Sequence, residues 1–136
     1  MTTLLLEIVT PSETVYSSQV EMVTLPAVDG QIGIYPMHVP LLTRIVPGEM
    51  IVRKDGRDEF LAVGQGLVEV TSQRVSIVTD MAIAADRIDA AKVEEARRRA
   101  EARLRDRISD EEVATVNAAL ARALAQLHVK TRHRRP

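Results

Sequence analysis

The sequence contains no cysteine, so it can hold no disulfide framework, no thiolate metal site and no cysteine nucleophile. Apolar residues make up 46% of the 136 positions, yet they never run uninterrupted for the ~18 positions a bilayer span needs. Any membrane association is therefore expected through a partner or a surface. No charged leader with an apolar core precedes the first strand-like segment, and the chain reads as intracellular and unprocessed. Against a prior of roughly 150 residues per domain, the length allows one modest domain, or a small domain with an appendage, and excludes a large multidomain enzyme.

The further scarcities are unevenly placed. All six glycines, the three aromatics (Tyr16, Tyr35, Phe60) and every proline except Pro136 fall before Asp86, and the second half has no glycine at all. Charge divides at the same place. Residues 1–86 carry 5 Lys+Arg and 11 Asp+Glu, net −6, while residues 87–136 carry 13 and 8, net +5. The halves should attract different partners. A boundary at Asp86 to Asp89 predicts two units, 1–86 and 87–136.

In the first unit, short β-rich runs recur at the spacing of an all-β sandwich or barrel: 4–9, 19–25, 31–34, 42–45, 50–53, 59–63, 67–70 and 75–78. Asp55-Gly56 is a type I′ hairpin signal, because glycine accepts the positive φ that the turn demands, and Pro47-Gly48 marks another turn. The flanks of these runs are apolar enough to predict several strands buried on both faces, which favours two packed sheets. In the second unit eleven alanines lie between Ala90 and Ala125, and alanine orders into a helix at no side-chain entropy cost. Val93, Ala96, Ala100, Leu104 and Ile108 form one helical stripe; Val113, Val116, Leu120, Leu124 and Leu127 form a second. Between them Ser109-Asp110-Glu111-Glu112 is a capping box, worth about 1 kcal/mol. One helix stops there and another starts, so the expected fold is α+β: an antiparallel β-sandwich of about ten short strands, then an antiparallel two-helix hairpin. Each arm should be roughly 25 to 30 Å long at 1.5 Å per residue.

Chemistry is scarce. General-base or nucleophilic catalysis needs a His, carboxylate or thiol held beside a second polar group. His38 lies in a proline-flanked loop, while His128 and His133 belong to a basic tail with Arg134 and Arg135, so no two histidines share a face and neither a catalytic nor a metal site is expected. Gly64-Gln65-Gly66 precedes a strand, lacks a following Lys-Ser/Thr, and reads as a turn rather than a phosphate loop. The first helix carries Arg97, Arg98, Arg99, Arg103, Arg105 and Arg107. Glu94 to Arg98, Glu95 to Arg99 and Glu101 to Arg105 are expected pairs at the favoured spacing, leaving Arg97, Arg103 and Arg107 with less obvious partners. The resulting positive field suits an acidic protein surface better than phosphates. Nucleic acid is not expected, since no aromatic in this half can stack on a base and no nucleic-acid module is visible.

The run Asp29-Gly30-Gln31-Ile32-Gly33-Ile34-Tyr35-Pro36-Met37-His38-Val39-Pro40-Leu41-Leu42-Thr43, with the later Pro47-Gly48 and Gly64-Gln65-Gly66-Leu67-Val68-Glu69-Val70, resembles the ε subunits of bacterial F-type ATP synthases across nearly the whole chain. The resemblance implies a stalk protein without an active site of its own, a monomer when isolated. It would sit peripherally on the cytoplasmic face of a bacterial plasma membrane, with the γ subunit, the c-ring and the α and β subunits as partners. It implies γ and c-ring contacts in the loop that holds Gln31 and His38. The residues themselves suit this, since Gly30 and Gly33 allow close backbone approach and Ile32, Ile34, Tyr35 and Met37 are expected to supply an apolar contact. The resemblance also implies a hairpin that permits turnover when compact and blocks ATP hydrolysis when extended, and on this sequence Arg98, Arg99, Arg103 and Arg122 are the residues expected to meet an acidic segment of the β subunits in the extended form.

Some members of that family bind ATP in the compact form through an Ile-Asp-x-x-Arg-Ala motif and further arginines, so ATP is a conceivable weak regulatory ligand. Ile88, Asp89, Arg99 and Arg122 match. Lys92 replaces the motif's arginine, Val93 its alanine, and Gln126 stands where a further arginine is expected. Lysine lacks the guanidinium fork, so the pattern has lost geometry as well as charge. Two other readings remain open from the sequence: an ATP-sensing module, and an adaptor for acidic surfaces.

Overall fold

The structure, a computed structural model, describes residues 2–133. The basic residues Arg134 and Arg135 lie outside the described residues. Ten strands precede two helices: β1 (Leu4–Val9), β2 (Thr14–Val20), β3 (Met22–Ala27), β4 (Gly30–Ile34), β5 (Leu41–Ile45), β6 (Gly48–Lys54), β7 (Arg57–Val63), β8 (Gly66–Val70), β9 (Arg74–Thr79), β10 (Ala82–Ala84), α1 (Ala90–Leu104) and α2 (Asp110–Arg132). This is the expected sandwich followed by a helical hairpin.

The strands follow one hydrogen-bonded path, β10-β7-β6-β3-β5-β8-β9-β1-β2, with β4 on β3. β3 is the corner, pairing β6 through Met22, Val23 and Thr24 and β5 through Ala27 alone. β2 returns to pack near β6, folding the path over a single core. Every pairing but one among the described residues is antiparallel; β1 runs parallel to β9, a departure from the wholly antiparallel sandwich expected. Parallel neighbours need a long crossover, and here the entire chain from β2 to β8 supplies it.

Alternation in the sequence becomes sidedness where one face meets water. Leu4, Leu6 and Ile8 of β1, Val23 and Leu25 of β3, Val68 and Val70 of β8, and Val75 and Ile77 of β9 all enter this core. In β7, by contrast, Leu61, Ala62 and Val63 are buried in succession. The reason is a third layer: α2 lies across β6 and β7, and Ala62 faces Ile88 and Val129 in a second apolar cluster. Two strands were not foreseen. β2 reads Thr-Val-Tyr-Ser-Ser-Gln-Val, an edge strand without apolar alternation, and β10 has only three residues. The run 19–25 therefore divides at Glu21 between β2 and β3. At the β6–β7 hairpin Asp55 and Gly56 have φ of 53° and 74°, the two positive values of a type I′ turn.

The helices are capped as their sequences direct. Asp89 accepts hydrogen bonds from the amides of Ala91 (3.1 Å) and Lys92 (3.2 Å), and Ser109 Oγ accepts from the Glu112 amide (3.2 Å). Glu112 reaches back to the Ser109 hydroxyl, which donates to its Oε1 at 3.4 Å, while its Oε2 takes Arg103 of α1 at 2.6 Å. The arms are unequal. α1 ends at Leu104, where the amides of Arg105 and Asp106 tighten onto Ala102 and Arg103, so Ile108 lies in the connection and not on the stripe. α2 has 23 residues, about 35 Å, because nothing in it breaks a helix. Its second stripe is also shifted: Leu124 is exposed, whereas Ala123, Ala125 and Val129 are buried, since α2 serves the sandwich as well as α1. Arg97 proves to be partnered, bonding Glu94 and, at 3.4 Å, Glu101.

Two outcomes follow from this packing. Leu25 is fully buried in the sandwich core, so Leu25→Ala should lower stability by about 2 to 5 kcal/mol in denaturant titrations, and an unchanged midpoint would contradict its place in the core. The hydrogen bond from Arg97, helped by the charges of Arg97 and Arg98, holds the Glu94 carboxyl below the usual carboxylate range against a smaller desolvation effect. A depressed carboxyl supports the folded helix above its unfolded value and loses that support as pH falls through the folded value. Carboxyl carbon NMR titration should therefore show Glu94 returning to the ordinary range in Arg97→Gln, and an unchanged titration would contradict the assignment.

Candidate functional site

Two surfaces carry the candidate residues. The first is the loop after β4. Gln31 is exposed on β4 opposite Pro26, Ile32 packs partly against the core, and Ile34 is fully buried in it. Ile34 thus supports the loop from beneath and offers no outward contact. Beyond it Tyr35 (61% exposed), Met37 (68%) and Val39 (71%) project into solvent. Met37 has φ 69°, an uncommon backbone for a side chain of its size, and its amide donates to Ser72 O at 2.7 Å in the β8–β9 turn. His38 is half-buried with Nδ1 2.6 Å from Val39 O. An open cavity of about 400 Å³ lies under the loop, lined by Glu21, Met22, Tyr35, Met37 and Arg53.

Adjoining strands present a second apolar feature that the sequence reading did not single out. Register places Val9 beside Val78, Val78 beside Leu67, and Leu67 beside Arg44. Their side chains share one face, with Leu42 two positions from Arg44 on the same side of β5. Leu42, Leu67 and Val78 are each more than half exposed. A cavity of about 390 Å³ at the end of this row is lined by Val28, Arg44, Val46, Gln65 and Leu67. The available signal was that β8 and β9 are apolar at both parities, at Leu67 and Val68 and at Ile77 and Val78.

The second surface is the docked arm. Of the four arginines expected to act together, Arg98 (76% side-chain exposure) and Arg99 (72%) face solvent with loose i,i+4 partners, Glu94 at 3.7 Å and Glu95 at 3.9 Å. Arg103 is half-exposed on Glu112 and Asp106. Arg122 departs from them: it points to the sandwich, where Nη1 donates to Asp80 Oδ2 at 3.0 Å. One helical face of α2 continues this docking. Val129 is buried, Lys130 Nζ donates to Ala85 O at 3.3 Å, Arg132 Nη1 donates to Glu49 Oε1 at 2.9 Å, and His133 Nε2 lies 2.6 Å from Glu49 Oε2. The His133 ring stacks on Phe60, centroids 3.6 Å apart and 16° from parallel. Glu49 is 5% exposed, and a carboxylate so desolvated needs those donors. Glu49, Phe60, Asp80, Arg132 and His133 were not identified from sequence, because each acts only through a partner far along the chain.

The residues matched to a nucleotide motif are engaged otherwise. Ile88 is buried with Val129, Asp89 caps α1, Lys92 is exposed, Arg99 holds Glu95 and Arg122 holds Asp80. Neither of the two cavities includes any of them.

Comparison with known proteins agrees with this two-part arrangement. Residues 3–85 match the family described as ATP synthase, Delta/Epsilon chain, beta-sandwich domain, and residues 86–131 match ATP synthase, Delta/Epsilon chain, long alpha-helix domain. The chain is 43% identical over 129 residues to the ATP synthase epsilon chain of Halorhodospira halophila, covering 93% of this chain and 92% of that one. It is 45% identical over 124 residues to the epsilon chain of Herpetosiphon aurantiacus, covering 91% of each. The fold is also that of a chain in the Euglena gracilis mitochondrial ATP synthase OSCP/F1/c-ring structure, with TM-score 0.76 at 19% identity over 96% of this chain and 82% of that one. A chain of the Tetrahymena thermophila central stalk/c-ring structure gives TM-score 0.65 at 11% identity, covering 93% and 96%. Sandwich, hairpin and relatives together place this chain in the ATP synthase epsilon-chain family.

Proposed function

We propose that the chain works as a non-catalytic central-stalk subunit on the cytoplasmic face of a bacterial plasma membrane. Its sandwich docks onto the γ subunit and the c-ring, and its arm restrains ATP hydrolysis when released. The observation that carries the docking half is the set of large apolar side chains left to water on the sandwich: Tyr35, Met37 and Val39 in the loop, and Leu42, Leu67 and Val78 on β5, β8 and β9. A rigid loop suits it, since Met37 is tied to Ser72 and the sandwich core lies directly below. The two structural neighbours are both chains of ATP synthase c-ring assemblies, which accords with this orientation. No helix among the described residues is long and apolar enough to cross a membrane.

The arm supports the regulatory half. Its buried contribution is a few alanines, Ile88 and Val129, while Arg98, Arg99 and Arg103 stand outward. Alanine buries little area, so the apolar part of the arm's docking contributes only a few kcal/mol at roughly 25 cal/mol per Å². Once free, Arg122 would join the other three in a cationic surface for an acidic segment of the β subunits. An ATP-sensing role draws no support from an arrangement in which Asp80 occupies Arg122 and Ile88 is enclosed.

Introducing charge at the loop, Tyr35→Asp with Met37→Asp, should weaken binding to the purified γ subunit by about thirty-fold or more, the scale of a lost hot spot. Binding unchanged in surface plasmon resonance would remove the loop from the interface. Reversing Arg98, Arg99 and Arg103 to glutamate should relieve inhibition of ATP hydrolysis by the assembled enzyme. Unrelieved inhibition would show that the outward arginines are not what the β subunits read.

A further inference from the structure

Asp80 follows β9 and lies against Gly64, in the turn before β8. A Cβ added at Gly64 would sit 1.8 Å from Asp80 Oδ1, so only glycine leaves room for the carboxylate. That oxygen is buried without a hydrogen-bond partner, while the other carboxylate oxygen accepts from Arg122 on α2. The turn is fixed by its own bonds: Gly64 N–H donates to Met81 O at 2.8 Å, and Asp80 N–H and Thr79 Oγ1 both donate to Gln65 O, at 3.2 and 2.8 Å. A carboxylate pressed into such a seat loses water on one side, and Arg122 is the group that compensates it. About 15 Å further along the same face of α2, the buried Glu49 of β6 holds Arg132 and His133.

We infer that Gly64, Asp80 and Arg122 form a latch that holds the arm against the sandwich, with Gly64 and Asp80 as positioning residues and Glu49 as a second holding point. Arg122 cannot serve Asp80 and an external acidic surface at once, so latch and partner compete for one guanidinium. The Gly64-Gln65-Gly66 segment thereby acquires a role beyond that of a turn: its missing side chain sets how firmly the arm is held. The latch itself concerns the isolated chain; only its competition with an acidic partner rests on the regulatory reading above.

The test is amide hydrogen exchange on the full-length chain, comparing α2 with β1, β8 and β9 as internal references. Asp80→Asn and Gly64→Ala should each speed exchange in α2 by roughly ten-fold, the scale of a half-buried ion pair, and leave the reference strands unchanged. Gly64→Ala alters no charge, so its effect must act through Asp80. In an Asp80→Ala background the obstructed oxygen is gone, and the same glycine substitution should then add nothing. Asp80→Asn combined with Arg122→Gln should be no faster than either alone. Three results would overturn the latch: α2 exchange unmoved by Gly64→Ala, an equal effect of Gly64→Ala with and without Asp80, or additive effects of Asp80→Asn and Arg122→Gln. Exchange is blind to hydrolysis, so failure of the latch leaves the inhibitory role standing, and loss of inhibition in the assembled enzyme leaves the latch standing.

Discussion

The burial of one carboxylate in a strand organises this molecule. Glu49 lies in β6 on the sheet face that α2 covers, and it is stable there because the last turn of α2 delivers Arg132 and His133. Remove the helix and the same group either stays desolvated without donors or draws in water. Around this polar point the contact is modest: Ala62, Ile88 and Val129, bordered by Phe60, Met81 and Ile83. An interface built from small residues and a few charge-assisted hydrogen bonds is specific in register but shallow in energy. That combination allows one sequence to have a defined compact form and still release it.

The rest of the sandwich is organised oppositely. Its core is deep, continuous and apolar, and its glycines permit close backbone approach, as at Gly66, where a Cβ would meet Val78 O at 2.1 Å. The exposed row from Val9 to Leu67 and the Tyr35–Val39 loop lie on this rigid body, so a partner docking there meets a preformed surface. Anchoring and regulation are thus assigned to parts of different stiffness.

Local signals in the sequence were legible where the physics was local. Asp55-Gly56 announced its turn, Ser109 the start of the second helix, and the β-rich run at 67–70 its strand, because each depends on neighbours within a few positions. Thr14–Val20 escaped because an edge strand that hides little needs no apolar alternation. Ile108 was assigned to a helix by period alone, while the Ala102 and Arg103 carbonyls closed that helix earlier. Arg122 was read only as a cation for an outside partner because its partner in the fold lies 42 residues earlier, and Glu49 drew no notice because its donors lie more than 80 residues later. Consecutive apolar residues at 61–63 hinted at a covered outer face without saying that α2 covers it. The site was legible as a motif and as a charge run, but its docking contacts required the tertiary fold.

The absence of cysteine makes the central claim directly measurable, since two introduced thiols can be labelled uniquely. Spin labels on Arg57→Cys in β7 and Asn117→Cys in α2, both exposed positions, report the distance between sandwich and arm by double electron–electron resonance. The account predicts one narrow distance distribution in the isolated chain and a second, separate population in the assembled enzyme when hydrolysis is inhibited. A single distance common to the isolated chain, the active enzyme and the inhibited enzyme would contradict it.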